Sequence, residues 1–284
     1  MKYQNIRFPG GKAKALTFSY DDGHRTDVRM AKTLTKYGIK GTFNFTNIQD
    51  EKLITKDEVK EFIISKGHEI AVHGAQHRAQ GIHRPIEGIK EVIDCRRYLE
   101  EEYGMIIRGM AYPNSGIRCL ANGATYENIK SYLTDLDVAY ARSAGDDNDS
   151  FSLPLDWHNW MPTAHHKNPK LMEYIDKFLS NDPNENSRIV ARFPMLFNMY
   201  GHSFEFENDN NWELLEEICE KLANRDDIWY ATNIEIYEYV EAYNSLRYSA
   251  HGDIIYNPTL FEIWIDISGQ IYSVKPGETL KIEE

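Results

Sequence analysis

Short apolar stretches alternate with helix-length segments from residue 13 to residue 246, and this alternation limits the fold more than any other feature. AKALTFSY (13–20), KGTFNFT (40–46), HEIAVHG (68–74), IRGMAYP (107–113), VAYARSAG (138–145), RIVARFPMLFNMYG (188–201) and IWYAT (228–232) read as strands. The segments between them read as helices with recognisable ends. Val28, Ala31, Leu34 and Thr35 share one face of the first helix, and Gly38 stops it. Thr55 with Glu58, and Thr232 with Glu235, have capping-box spacing, and Pro85 suits a first helical position. Strands separated by helices pair in parallel through right-handed crossovers. The pattern therefore predicts an α/β fold, a distorted (β/α)7 barrel. No G-x-G-x-x-G follows the first strand, which argues against a dinucleotide-binding sheet.

The barrel is expected over 1–246. The segment 247–284 changes to apolar–polar alternation with turns at Ser268-Gly269 and Pro276-Gly277. It reads as a small C-terminal antiparallel β extension packed on the barrel, with a homo-oligomer edge as the other use of such strands. With 284 residues the chain needs no covalent staple for its core. The three cysteines, Cys95, Cys119 and Cys219, have neither disulfide-framework nor zinc-ribbon spacing. A net charge of −12 disfavours nucleic acid as a partner. No apolar run is long enough to span a membrane, and the N-terminal residues lack a signal-peptide core, so a cytoplasmic location is expected.

Four polar clusters fall at the C-terminal ends of predicted strands: SYDDG (19–23), HGAQH (73–77), YPNSG (112–116) and YGHSFEF (200–206). In a parallel barrel these ends share one rim, where active sites are built. Adjacent carboxylates repel unless a cation or a proton separates them. Two histidines four apart can chelate a metal. One Asp with two His makes a zinc-type set of three ligands with a place left for water. The other carboxylate is then free to take that water's proton, and no serine or cysteine nucleophile is required.

SYDDG, HGAQH, AYP and GHSFEF, in this order, resemble the motifs of the polysaccharide deacetylase family (carbohydrate esterase family four, the NodB-homology domain). The resemblance spans about residues 13–245. It implies Asp21 as general base, Asp22, His73 and His77 as ligands of one divalent metal ion, Zn2+ by default, and His202 as the acid that protonates the leaving amine. It implies Asn114 as the oxyanion donor; Tyr112, Trp157 and Trp160 are the candidate substrate contacts. Asp156-Trp157 aligns with a groove motif, with Asp156 supporting His202. The implied reaction is removal of an acetyl group from an N-acetylated amino sugar or glycan precursor. Hydrolysis of another carbon–nitrogen amide, or a catalytically silent glycan binder, are the alternatives.

Two departures matter. Many family members carry an arginine, paired with the catalytic Asp, where this chain has Ala111. Arg108, Arg142 and Arg192 lie on neighbouring strands and are the candidates to replace it. The segment DWHNWMPTAHH (156–166) reads either as a loop with tryptophan core anchors or as a lid whose indoles stack on a sugar. A metal site from His165 and His166 is not expected, because adjacent side chains diverge.

Overall fold

A computed structural model describes residues 3–145 and 147–282. The barrel strands are β2 (Lys14–Asp21), β3 (Gly41–Phe45), β4 (Glu69–Val72), β5 (Gly109–Ala111), β6 (Tyr140–Arg142), β7 (Ala164–His165), β8 (Met195–Gly201) and β9 (Ile228–Tyr230); β1 (Gln4–Arg7) precedes them. The helices between and after them are α1 (Asp27–Lys36), α2 (56–66), α3 (Pro85–Tyr103), α4 (Tyr126–Asp135), α5 (Leu171–Ser180), α6 (Ser203–Asn208), α7 (Trp212–Leu222) and α8 (Asn233–Asn244). The order across the sheet is β6-β5-β4-β3-β2-β8-β7, all parallel, with β9 beside β2. This is the distorted (β/α)7 barrel expected from the alternation.

The distortion has a local origin. On β2, Lys14–Leu16 pairs with β9, whereas Phe18–Asp21 pairs with β3, so one strand changes partner along its length. The other side is closed by the 160–166 segment. Trp160 bridges to Arg142 on β6, and a few residues later β7 pairs with β8. The stretch expected as a loop or lid is thus part of the barrel wall.

Strand β2 is buried along its whole length, and its two faces carry different chemistry. Leu16, Phe18 and Tyr20 face the helices in the main apolar core, with Phe43, Val72, Met110 and Phe197 from neighbouring strands. The intervening Thr17, Ser19 and Asp21 join a polar column with Thr42, Asn44, Glu69, Tyr140 and Arg142. Buried polar side chains persist only when hydrogen-bonded, and this column is extensively linked. At its foot, Glu69 accepts from Thr42, Tyr140 and the Ile234 N–H at the start of α8. At its head stand Ser19, Asn44, Arg142 and Asp21.

The C-terminal region forms two small antiparallel sheets from β10 (Arg247–Tyr248), β11 (Ile254–Tyr256), β12 (Ile263–Ile267), β13 (Gln270–Val274) and β14 (Thr279–Lys281). β1 belongs with them: its order is β1-β12-β13. Buried Asp266 on β12 accepts from Arg7 and Arg192, both at 2.6 Å. Among the described residues, no helix is long and apolar enough to cross a membrane.

Candidate active site

Asp21 is the last residue of β2 and only 5% exposed. The Arg142 guanidinium donates to both of its oxygens, at 2.6 and 2.5 Å. Asn44 adds a bond of 2.9 Å to one of them, and Ser19 accepts from both Arg142 and Asn44. The Tyr200 ring packs against the guanidinium from 4.8 Å. Burial alone pushes the Asp21 carboxyl up, but Arg142, followed by His73 and His202, outweighs it and holds the group below its ordinary range. Of the three candidate arginines, Arg142 therefore meets Asp21. Arg108 pairs with Asp137, and Arg192 with Asp266.

Asp22, the next residue, turns away from the column in a left-handed backbone conformation (φ 79°). Asp tolerates this region better than most residues, and such strain gathers at functional sites. Gly23 follows with φ 66°, and a Cβ there would stand 2.7 Å from the Phe45 ring. The turn delivers Asp22 Oδ1 to within 3.5 Å of His73 Nε2 and 3.2 Å of His77 Nε2. The three ligand atoms lie within 4.8 Å of one another.

The donor set fits a divalent cation. Tetrahedral bonds of about 2.0–2.1 Å put neighbouring ligand atoms roughly 3.3–3.4 Å apart, close to the observed edges. His73 Nδ1 lies 2.9 Å from the Ala111 carbonyl, which only accepts, so Nδ1 carries the proton and Nε2 presents a lone pair. Burial pushes the His73 pKa down, which keeps the ring neutral. His77 also sits in left-handed backbone (φ 54°), and the Asn114 side-chain amide lies 3.3 Å from its Nδ1 and donates to its carbonyl at 2.7 Å. Burial raises the Asp22 carboxyl, but the His77 hydrogen bond and the charges of His73 and His202 outweigh this, bringing it to about 2.

His202, just after β8, places Nε2 3.7 Å from Asp22 Oδ2. Glu205, one turn into α6, accepts from the His202 backbone N–H at 3.1 Å and lies 3.3 Å from its Nδ1. Burial disfavours the charged ring, yet the Glu205 hydrogen bond and the carboxylates of Asp21 and Asp22 prevail and raise the His202 pKa. The site thus offers a firm carboxylate, a three-ligand cluster and an imidazole biased toward its protonated form.

Asp21, Asp22, His73, His77, Asn114 and His202 come together; four other expected residues do not. Tyr112 is 2% exposed, and its hydroxyl donates to the His158 carbonyl at 2.8 Å, so it braces the wall instead of meeting substrate. Trp160 is 1% exposed and packs on Tyr140 and Trp157 in the second apolar core. Trp157 packs on Tyr237 of α8, beside Arg108 and Val138 at the strand starts, the opposite end from the rim. Asp156 sits there too, bound to Lys130 at 2.7 Å and Tyr126 at 2.8 Å and capping the His158 N–H. Glu205, not Asp156, supports His202. Glu205, which the motif reading missed, had a faint signal in its His-x-x-Glu spacing in GHSFEF, whereas Arg142 was among the three candidate arginines and stands out as a lone cation in an apolar strand. Asn44 has none beyond its place in KGTFNFT.

The polysaccharide deacetylase family model matches residues 9–132, the part of the chain holding SYDDG, HGAQH and YPNSG. Over that segment the chain is similar to polysaccharide deacetylases. The match bears out the resemblance drawn from the motifs. The fold is shared with a Mycobacterium smegmatis protein described as a polysaccharide deacetylase (TM-score 0.57, 15% identity, 84% of this chain and 94% of that one). It is also shared with a Pseudomonas aeruginosa PAO1 protein so described (0.57, 13%, 81% and 92%). The PuuE allantoinase gives the same score at 13% identity, over 81% of this chain and 91% of that one. At such identities these likenesses establish the deacetylase-type fold alone. No curated protein matches in sequence.

Proposed function

We propose that this protein is a metal-dependent hydrolase that removes the acetyl group from an N-acetylated amino sugar or glycan precursor. Asp22, His73 and His77 would hold the ion, and an Asp-His-His set suits Zn2+. When bound, such an ion supplies Lewis-acid polarisation and lowers the pKa of water toward about 7.

The chain's own groups supply the rest. Asp21 takes the proton of the attacking water; Arg142 and Asn44 fix its oxygens so that it stays ionised and aimed. The Asn114 side chain is committed to His77, which leaves its backbone N–H as the donor for the developing oxyanion. His202, its pKa raised, gives a proton to the departing nitrogen, which is a poor leaving group as an anion. Acetate and a free amine result.

The observation that carries this reading is the Asp21–Arg142 ion pair beside the Asp22–His73–His77 cluster. The silent-binder alternative rested on the arginine missing at Ala111, and Arg142 supports Asp21 in its place. A panel of N-acetylated amino sugars and short oligosaccharides, assayed for acetate with Zn2+-loaded protein, tests it. Acetate release that is lost in Asp21→Asn supports the proposal. Equal glycan binding by both proteins without acetate, or product from other amides only, overturns it.

A further inference from the structure

Outside the cluster just described, the described residues hold one other grouping of metal-ligating side chains: His165, His166 and Glu205, with ligand atoms all within 4.8 Å of one another. We infer that these three residues form a second divalent-cation site, of the class that takes Zn2+ or Co2+. The inference does not depend on the deacetylase reading.

The expectation that neighbouring histidines diverge holds along a regular strand. Here β7 ends at His165, and the chain leaves the sheet at His166. The two rings lie with centroids 4.6 Å apart and planes at 34°. Gly201 on β8 makes room: a Cβ there would stand 2.1 Å from His166 Nδ1 and 3.2 Å from His165 Nε2. Glu205 comes from the first turn of α6 and is held back over the helix start by the His202 N–H.

The geometry repeats that of the first cluster. His165 Nε2 lies 3.2 Å from Glu205 Oε2, and His166 Nε2 lies 3.4 Å from the same oxygen. These are again about the edges of a tetrahedron with bonds of about 2.0–2.1 Å. A buried polar atom without a hydrogen-bond partner lies at this space. His166 is 2% exposed, and its Nε2 is buried without a hydrogen bond. A buried polar atom left so costs free energy, and a cation would satisfy it. Its Nδ1 lies 3.4 Å from the Tyr20 hydroxyl, the outer contact that orients a ligating imidazole.

Access and charge agree. The His165 and Glu205 side chains remain 25% and 19% exposed, which leaves an approach and a position for water. Lys167 comes within 3.7 Å of Glu205 Oε1, but its closer partner is Asp209 at 2.6 Å, and Oε2 faces the histidines. Two imidazoles and one carboxylate make the same ligand set as Asp22, His73 and His77, with Glu in place of Asp.

The test is metal content of the full chain, stripped with chelator, dialysed against Zn2+ or Co2+ alone, and measured by elemental mass spectrometry. The wild type should bind two ions per chain. His165→Ala and Glu205→Gln should each lose one and keep the other, and His73→Ala/His77→Ala should lose only the other. Buried His166→Ala adds the same comparison if circular dichroism shows that it folds; partly exposed His165→Ala does not rely on it. If His165→Ala and Glu205→Gln keep the wild-type ion count, the inference is overturned. It is overturned as well if the wild type binds a single ion that His73→Ala/His77→Ala abolishes. Loss of an ion in His165→Ala with none lost in His73→Ala/His77→Ala sustains this site and instead refutes the metal in the proposed function.

Discussion

Arg142 reaches both oxygens of Asp21 from the β6 position that pairs directly with Ala111 on β5. Residues in register on parallel neighbours point to the same side of the sheet, so an arginine at either position enters the same space. The guanidinium missing at Ala111 is thus supplied from one strand further round the barrel.

Removing it should weaken catalysis in a particular way. Arg142→Ala should lower kcat by roughly 10²-fold, since positioned acid–base groups contribute on that scale. Arg142 keeps the Asp21 carboxyl low, and without it burial pushes that carboxyl up. Asp21 then protonates at higher pH, so the acid limb of the kcat/KM profile should move upward. Ala111→Arg alone should overpack the site and lower activity, but in the Arg142→Ala background it should restore part of the rate. A pH–rate series on the four proteins checks this; an unmoved acid limb in Arg142→Ala contradicts it.

Asn114→Gly separates the two roles of that residue. Asn114 has φ 54°, which glycine adopts freely, and the substitution keeps the backbone N–H. It removes the amide that holds His77. Zn2+ affinity should fall by about 10- to 100-fold, the usual cost of losing an outer partner of a ligand. Competition with a chromophoric chelator measures it, and unchanged affinity would count against this role.

Stability should carry a signature of Glu69. Burial raises its pKa from 4.5 to about 7, against the opposing hydrogen bonds from Tyr140, Ile234 and Thr42. Well below 4.5 the group is neutral in both folded and unfolded chains. As pH rises through the 4.5–7 window the unfolded chain ionises it first, so the folded state loses stability, by up to about 3 kcal/mol. Above that window the loss is complete. Glu69→Gln should flatten this part of the curve. Urea unfolding of both proteins across the window is the measurement, and parallel curves would refute the assignment.

The tryptophans give a contrast between packing and binding. Trp160→Ala should destabilise the fold by about 3–5 kcal/mol, as for other buried aromatic truncations. Trp157→Ala, at the end of the barrel away from the rim, should leave KM unchanged. Thermal melts and steady-state kinetics test the pair; a large rise in KM for Trp157→Ala would restore the sugar-stacking reading.

What was legible in the sequence follows from range. The helix caps and the strand alternation are local signals, and Thr55–Glu58 and Thr232–Glu235 form capping boxes as read. Asp21, Asp22, His73, His77 and His202 were readable because each sits in a short motif at a strand end. Arg142 depends on which residue of β6 lies opposite Ala111, and register between strands leaves no mark in a single sequence. The 156–166 segment left two readings open because its aromatic and polar composition suits a lid as well as core anchors; Trp160 is such an anchor, and the backbone completes the wall between β6 and β8. β1 joins β12 across nearly the whole chain, a pairing that no local pattern announces.

The most direct test of the central claim is acetate release from an N-acetylated amino-sugar substrate by chelator-stripped protein, followed as Zn2+ is restored. Wild type should regain turnover as the ion returns. Asp21→Asn should bind the ion and stay inactive, and His73→Ala/His77→Ala should stay inactive at ordinary Zn2+ concentrations. Full acetate release by stripped protein, or by Asp21→Asn, would contradict the account.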